Sequence, residues 1–314
     1  MFGFAETLED HEMVTKASWN RGKLMEMPMN GRPLIPLLAV ALAISSGVAL
    51  AEQSIEVVAR SEIEFQPLNP LRGDASPKAG VLWGDIKQNV ATGTLIEFAD
   101  GFSSPPHIHN ITYRAVVITG AVHNDDPEAQ PMWMGPGSFW TQPAGETHIT
   151  AARKGSRATA FLEILEGPYL VQPAEEDFDN GERPVNLEAR NIVWLDVSDI
   201  AWFDLSGSPA SNGTPQIAFL WGSPEAGQGN GTFLKLPVGY SGDLRGNGAW
   251  LRAVLIAGQA IHRTAGSNSS ATDLAPGSYF GSRGDAAHEI ACTAGTECLI
   301  YISTKGKYEA ALSN

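Results

Sequence analysis

Cysteine is nearly absent: the 314 residues hold two, Cys292 and Cys298, on either side of TAGTE. Two cysteines exclude a disulfide framework of the kind that holds small secreted domains together. Neither sits in a CxxC pair, which argues against a zinc knuckle or a redox motif. Across the turn-like segment they either close a local disulfide or lie as two buried thiols; the sequence leaves both open. Basic residues are also scarce, 21 Lys and Arg against 35 Asp and Glu, for a formal net charge of −14. That speaks against a nucleic-acid or anionic-membrane partner, since both need a basic face. After residue 52 no long window shows helical periodicity. No P-loop, glycine-rich phosphate loop or nucleophile elbow is present.

Long apolar runs are missing too, with one exception. PLIPLLAVALAISSGVALAEQ carries an apolar run of about 17 residues, short for a membrane span. Arg32 precedes it, and Ala49-Leu50-Ala51 closes it with a small-x-small pattern. This reads as an export signal rather than a membrane anchor. Residues 1–51 are therefore expected to be a signal peptide and upstream segment, with translation starting at Met27 or Met29. The mature chain would begin at Glu52, free of the membrane, in an oxidising compartment such as the bacterial periplasm.

Glycine and proline are plentiful, 33 and 20, and hydrophobic content is 43% against 18% charged. Short apolar or alternating runs between turn residues indicate an all-β chain. The chain also repeats itself. LWGDIKQNVATGTLIEFADGF (from Leu82) matches LWGSPEAGQGNGTFLKLPVGY (from Leu220) without a gap. At the same offset GFSSPPHIHNITYRAVVITG (101–120) meets GYSGDLRGNGAWLRAVLIAG (239–258). They share both end glycines, a serine, Arg114/Arg252 with the next Ala and Val, and Ile118/Ile256. PGSFWTQPAGETH (136–148) then meets PGSYFGSRGDAAH (276–288). The reading is two copies of one β unit, 52–185 and 186–314.

His107 and His109 are one residue apart, so a strand would present both on one face. Two imidazoles on one face can offer two nitrogens to one metal ion. His148 ends GSFWTQPAGETH and supplies a third. These segments resemble the cupin superfamily. Its first motif, G-x5-H-x-H-x3,4-E-x6-G, is met by Gly101, His107, His109 and Gly120, with Tyr113 at the glutamate position. Its second, G-x5-P-x-G-x2-H-x3-N, is met by Gly137, Pro143, Gly145 and His148, with Ala152 at the asparagine position. The chain thus looks like a bicupin, two tandem jelly-roll (double-stranded β-helix) barrels. It is similar to an uncharacterised domain-of-unknown-function cupin group, and more distantly to the zinc-binding cupin of anti-sigma factors.

The resemblance implies one divalent metal held by His107, His109 and His148. Zinc, iron, manganese, nickel and copper all accept imidazole, so the ligand set does not choose. In the second copy Arg245 and Asn247 replace the first two histidines and Leu251 replaces Tyr113. Only His288 persists, which suggests a barrel freed from metal binding. His288 beside Arg245 and Asn247 could instead mark a small anion site. His123 and His262 recur in both copies and read as structural.

Three candidate catalytic residues remain: Tyr113, to orient a ligand or water or to ligate, and Glu97 and Glu163, as acid/base groups near the metal. The bland alternatives are a core aromatic and exposed strand residues. Trp133, Met134, Phe139 and Trp140 suit either an apolar mouth or the core. The functional expectation is a metal-dependent oxygenase, isomerase or hydrolase acting on a small, oxygen-rich molecule. Its rival is a non-catalytic binding or sensing module. Homo-oligomerisation is left open.

Overall fold

The computed structural model describes residues 55–203, 213–247, 250–264, 271–293 and 295–312. The signal segment expected at 1–51 and its start sites lie outside the described residues. Among the described residues, strands joined by turns and short 3-10 helices make up the whole fold. No helix among the described residues is long and apolar enough to cross a membrane. The all-β jelly-roll expectation holds.

Two seven-stranded sheets dominate. One runs in the order Val185–Leu187, Phe139–Gln142, Tyr113–Thr119, Ala158–Ile164, Thr92–Phe98, Lys78–Trp83, Gln66–Pro67. The other repeats this with Ile55–Val58, Tyr279–Arg283, Trp250–Ala257, Cys298–Lys305, Gly229–Leu236, Gln216–Gly222 and Leu195–Asp196. Both sheets are buried on both faces, which explains why their strands read as nearly continuous apolar runs. Along Tyr113–Thr119, Tyr113, Ala115 and Val117 face the interior of the first barrel. Val116 and Ile118 face the other way, into a layer shared with Val254, Ile256, Phe233 and Tyr301 of the second copy. Alternation of side chains thus gives each sheet one face for its own barrel and one for its twin.

The glycines kept in both copies mark tight turns. Gly120 and Gly258 have φ of 73° and 87°. A Cβ there would lie 2.5 Å from the Arg157 carbonyl oxygen and 2.3 Å from that of Glu297. Only glycine fits both the left-handed backbone and the close approach.

The two halves exchange arms. Ile55–Val58, early in the first copy, pairs with Tyr279–Arg283 of the second. Val185–Leu187 pairs with Phe139–Gln142 of the first. Each arm is pinned where it leaves its strand, Arg60 N–H to Ser278 Oγ (2.9 Å) and Ala189 N–H to Ser138 Oγ (3.0 Å). The boundary expected at 185/186 falls inside one of these arms. Cys292 and Cys298 are joined in a disulfide.

The smaller sheets differ between the halves. In the second copy five strands form a continuous ladder in which Leu244 pairs with His288. In the first copy the corresponding surface is split. His107–His109 forms a ladder with Val171–Pro173 and Val122–Asp125 one with Ile149–Ala152, while single bridges join His107 to His148, Val122 to Met134 and Ser103 to Ala151. The barrel carrying three histidines is the less regular one.

Candidate metal centre

Pro105 and Pro106 deliver an extended chain into the strand His107–His109. His107 faces His148 across the bridge, with main-chain hydrogen bonds in both directions at 3.1 and 3.0 Å. Cross-strand partners share a face, so these two rings meet, and His109 joins from two residues on. The three rings lie 4.3–5.2 Å apart, centroid to centroid. All three are buried, and one nitrogen of each lies within 4.8 Å of the others.

Gly145, from the second motif, sets the turn before His148. Its φ is 77°, its N–H donates to the His109 carbonyl (2.8 Å), and a Cβ would meet the Phe178 carbonyl oxygen at 2.2 Å.

Main-chain carbonyls fix the tautomers. His107 Nδ1 is 2.9 Å from Pro105 O, His109 Nδ1 2.8 Å from Leu170 O and His148 Nδ1 3.1 Å from Glu146 O. A carbonyl can only accept, so each Nδ1 carries the proton and each Nε2 keeps its lone pair. His148 Nε2 is buried with no hydrogen-bond partner. An orphaned buried acceptor is costly unless something occupies it. Burial pushes all three imidazoles below the ordinary histidine range, His148 to about 3, and the neighbouring rings push His109 and His148 further. Three neutral nitrogen donors aimed at one point suit a divalent cation of borderline softness.

A segment that the sequence motifs did not flag completes the site. Gly167-Pro168-Tyr169-Leu170-Val171 straps the histidine strand. Asn110 holds the strap through Pro168 O (3.0 Å) and Leu170 N–H (2.9 Å). The Tyr169 ring stacks on His109 at 4.3 Å, and its hydroxyl lies 3.1 Å from His109 Nε2. One sequence signal was available. Gly-x-Tyr recurs in the second copy as Gly306-Lys307-Tyr308, a third point of repeat similarity beyond the metal motifs.

Tyr113 does line the cleft beside His109, edge-on at 5.2 Å. Its hydroxyl, however, turns to Asn124 Oδ1 (2.9 Å), which also accepts from Thr150 (2.7 Å). Asn124 Nδ2 donates to Gln142 (2.8 Å), and Gln142 to Glu146 O (3.0 Å), the carbonyl that orients His148. Burial pushes the Tyr113 phenol up to about 12. The Tyr113 hydroxyl is thus committed to a hydrogen-bond chain that leads to the carbonyl behind His148.

Glu97 and Glu163, the expected acid/base groups, are not brought together with the histidines. Both lie on the sheet face turned toward the other half. Glu97 pairs with Arg60 at 2.7 Å. Glu163 is fully buried and accepts from the Tyr301 hydroxyl of the second copy at 2.8 Å. The alternative of an anion site at His288 beside Arg245 finds no support in the geometry. His288 shares a face with Leu244, so adjacent Arg245 points away and is exposed. The His288 ring instead meets His262 at 2.9 Å. His123 accepts from Met132 N–H (3.3 Å).

A cleft of about 480 Å³ opens over His107 and His109. Ile96, Phe98, Phe102, Trp140 and Leu162 make it largely apolar, with Arg72 and Lys87 at its edge; no carboxylate lines it among the described residues. Phe139 and Met134, by contrast, are core.

Residues 56–311 match the family model described as a domain of unknown function, DUF4437. No curated protein is significantly similar in sequence. Among solved structures the fold resembles a candidate dioxygenase of Nostoc punctiforme: TM-score 0.60, 14% identity, 80% of this chain and 83% of that one covered. It also resembles the salicylate 1,2-dioxygenase of Pseudaminobacter salicylatoxidans, with TM-score 0.52, 12% identity and 87% and 89% coverage. The adduct of that dioxygenase with gentisate gives TM-score 0.53 at 13% identity, covering 80% and 81%. At these identities the likeness is one of fold, the two-barrel cupin architecture.

Proposed function

Because the chain belongs to the DUF4437 family and folds as a cupin pair, we propose that it is a metal-dependent oxygenase of a small molecule, exported from the cytoplasm. One observation carries the reading: three buried imidazoles, each with Nδ1 committed to a main-chain carbonyl, bring one ring nitrogen apiece within 4.8 Å of one another beside an apolar cleft that His107 and His109 line. A divalent ion held there would supply Lewis acidity and, if iron, manganese, nickel or copper, one-electron chemistry.

The residues do the rest. Pro105 O, Leu170 O and Glu146 O hold the imidazoles in the ligating tautomer. Ile96, Phe98, Trp140 and Leu162 keep water out and favour a ligand with a hydrocarbon body, where the sequence alone suggested an oxygen-rich one. Hydrolysis and isomerisation need a placed general acid or base. With Glu97 and Glu163 turned away, the described residues of the cleft offer only histidines, tyrosines and, at its edge, Lys87. Oxygenation makes the smallest demand of that kind, and this favours it over the other two.

The same lack of a carboxylate supports a second reading, a binding or sensing module. The distant resemblance to the zinc-binding anti-sigma-factor cupin would suit it. The disulfide between Cys292 and Cys298 supports export, since such bonds persist in oxidising compartments. Oxygen uptake by protein loaded in turn with iron and with zinc, over a panel of small aromatic and aliphatic hydroxy compounds, separates the readings. Iron-dependent uptake with at least one compound is expected. Tight binding of a compound with no uptake under any metal would leave the module.

A further inference from the structure

Tyr169 is placed where a fourth protein ligand would stand. With the proton of His109 on Nδ1, Nε2 can only accept, and the hydroxyl 3.1 Å away is what it accepts from. The lone pair that a metal needs is the one Tyr169 now occupies. Two ligands each about 2.1 Å from one ion, at roughly a right angle, lie about 3 Å apart. The observed separation of the hydroxyl from Nε2 is of that size, so a small swing of the hydroxyl off the hydrogen-bond line would leave both atoms facing one ion.

The position of the cupin glutamate is closed to this role, because the Tyr113 hydroxyl is taken by Asn124. The second half is an internal comparison. Tyr308 stands at the place of Tyr169, but with no histidine pair beneath it the hydroxyl goes to Thr232 at 3.0 Å. In the first half the residue matching Thr232 is Thr94, whose hydroxyl donates instead to Gly80 O at 3.0 Å. The tyrosine belongs to the scaffold of both barrels; its direction toward a ligating nitrogen belongs to one.

We propose that Tyr169 is the fourth protein ligand of the metal centre, an oxygen donor brought by the strap in place of the missing carboxylate. This rests on the three-histidine reading above. On loading, the phenolic O–H bond breaks as the metal–oxygen bond forms, and the proton leaves to solvent water through the mouth of the cleft. No oxidant or co-reactant takes part. The phenolate lowers the net charge of the ion and its ligands by one.

The test is spectroscopic. Wild type, Tyr169→Phe and Tyr113→Phe are stripped with chelator, loaded anaerobically with one equivalent of ferrous iron and oxidised in air. Iron per chain and the visible spectrum are then measured. One iron per chain is expected throughout. A phenolate-to-iron(III) charge-transfer band, with tyrosinate modes in resonance Raman, is expected in wild type and Tyr113→Phe and not in Tyr169→Phe. Zinc affinity of Tyr169→Phe should fall roughly tenfold or more. Wild type carrying one iron without the band overturns the assignment even if the variant fails to fold. So does a band that survives Tyr169→Phe. Wild type that takes up no iron or zinc overturns the three-histidine reading itself, and this proposal with it.

Discussion

His107, His109 and His148 each have Nδ1 tied to a main-chain carbonyl, which turns Nε2 toward the other rings; His148 Nε2 has no partner and His109 Nε2 meets only the Tyr169 hydroxyl. That division suits them to hold a metal ion, unlike core histidines with both nitrogens satisfied. Changing His107 and His148 together to Ala should remove bound metal and leave the far-UV circular dichroism of a β protein. Unchanged metal per chain by elemental analysis would refute the site. Tyr113 acts one step back, through Asn124, Gln142 and Glu146 O. Tyr113→Phe deletes one buried hydrogen bond, and should cost about 1 kcal/mol in denaturant unfolding while metal stoichiometry stays at wild type. His288 shows why an orphaned nitrogen alone is not a site. Its Nε2 is also buried without a partner, yet its other nitrogen meets His262 and no third donor converges among the described residues.

At the scale of elements, the strap runs into the strand Val171–Pro173, which is paired residue for residue with His107–His109, and Asn110 clamps the strap at Pro168 and Leu170. Asn110→Ala frees both the Pro168 carbonyl and the Leu170 N–H. The Leu170 carbonyl that orients His109 then loses its support. Metal affinity should fall about tenfold by chelator competition, the usual size of an outer-sphere effect; an unaltered affinity would show that the strap is held by its ladder alone. Glu163 belongs to a different element, the sheet face between the barrels. Its hydrogen bond from Tyr301, which in turn accepts from Trp221 Nε1 at 2.9 Å, joins the two halves through polar groups inside an apolar layer. Burial raises the Glu163 carboxyl above its ordinary range, with Tyr301 and Arg252 acting against the shift. Glu163→Gln should therefore alter stability and leave metal content untouched.

At the scale of the whole molecule, the second barrel is the more regular and carries a buried neutral histidine pair. Burial pushes His262 down to about 4 and His288 to about 3, the latter also by its neighbour. In the unfolded chain each titrates near 6.5. Between those values the unfolded state binds more protons. This contribution is therefore complete above about pH 6.5 and is lost as the pH falls toward 3. Replacing both with Leu should make the urea midpoint decline less steeply between pH 6.5 and 4, with metal content unchanged. Equal slopes for the two proteins would show that the pair does not contribute. The unfolded, unreduced protein should show no reactive thiol in a thiol titration; two would mean that Cys292 and Cys298 do not stay joined.

Much of this was legible along the chain. The duplication, the β character and the three histidines follow from spacings that backbone geometry enforces. A turn that needs φ above zero demands glycine, and a strand that must present two imidazoles together demands one residue between them. Facing was not legible for Glu97 and Glu163, because strands buried on both sides carry no polar–apolar alternation. Nor was the importance of Tyr169, which lies outside both motifs and reaches His109 only because its strap pairs antiparallel with the histidine strand. Local spacing fixes what one segment can offer. Which segments meet, and which face of a doubly buried sheet looks into the barrel, is set by long-range packing that no short window of sequence contains.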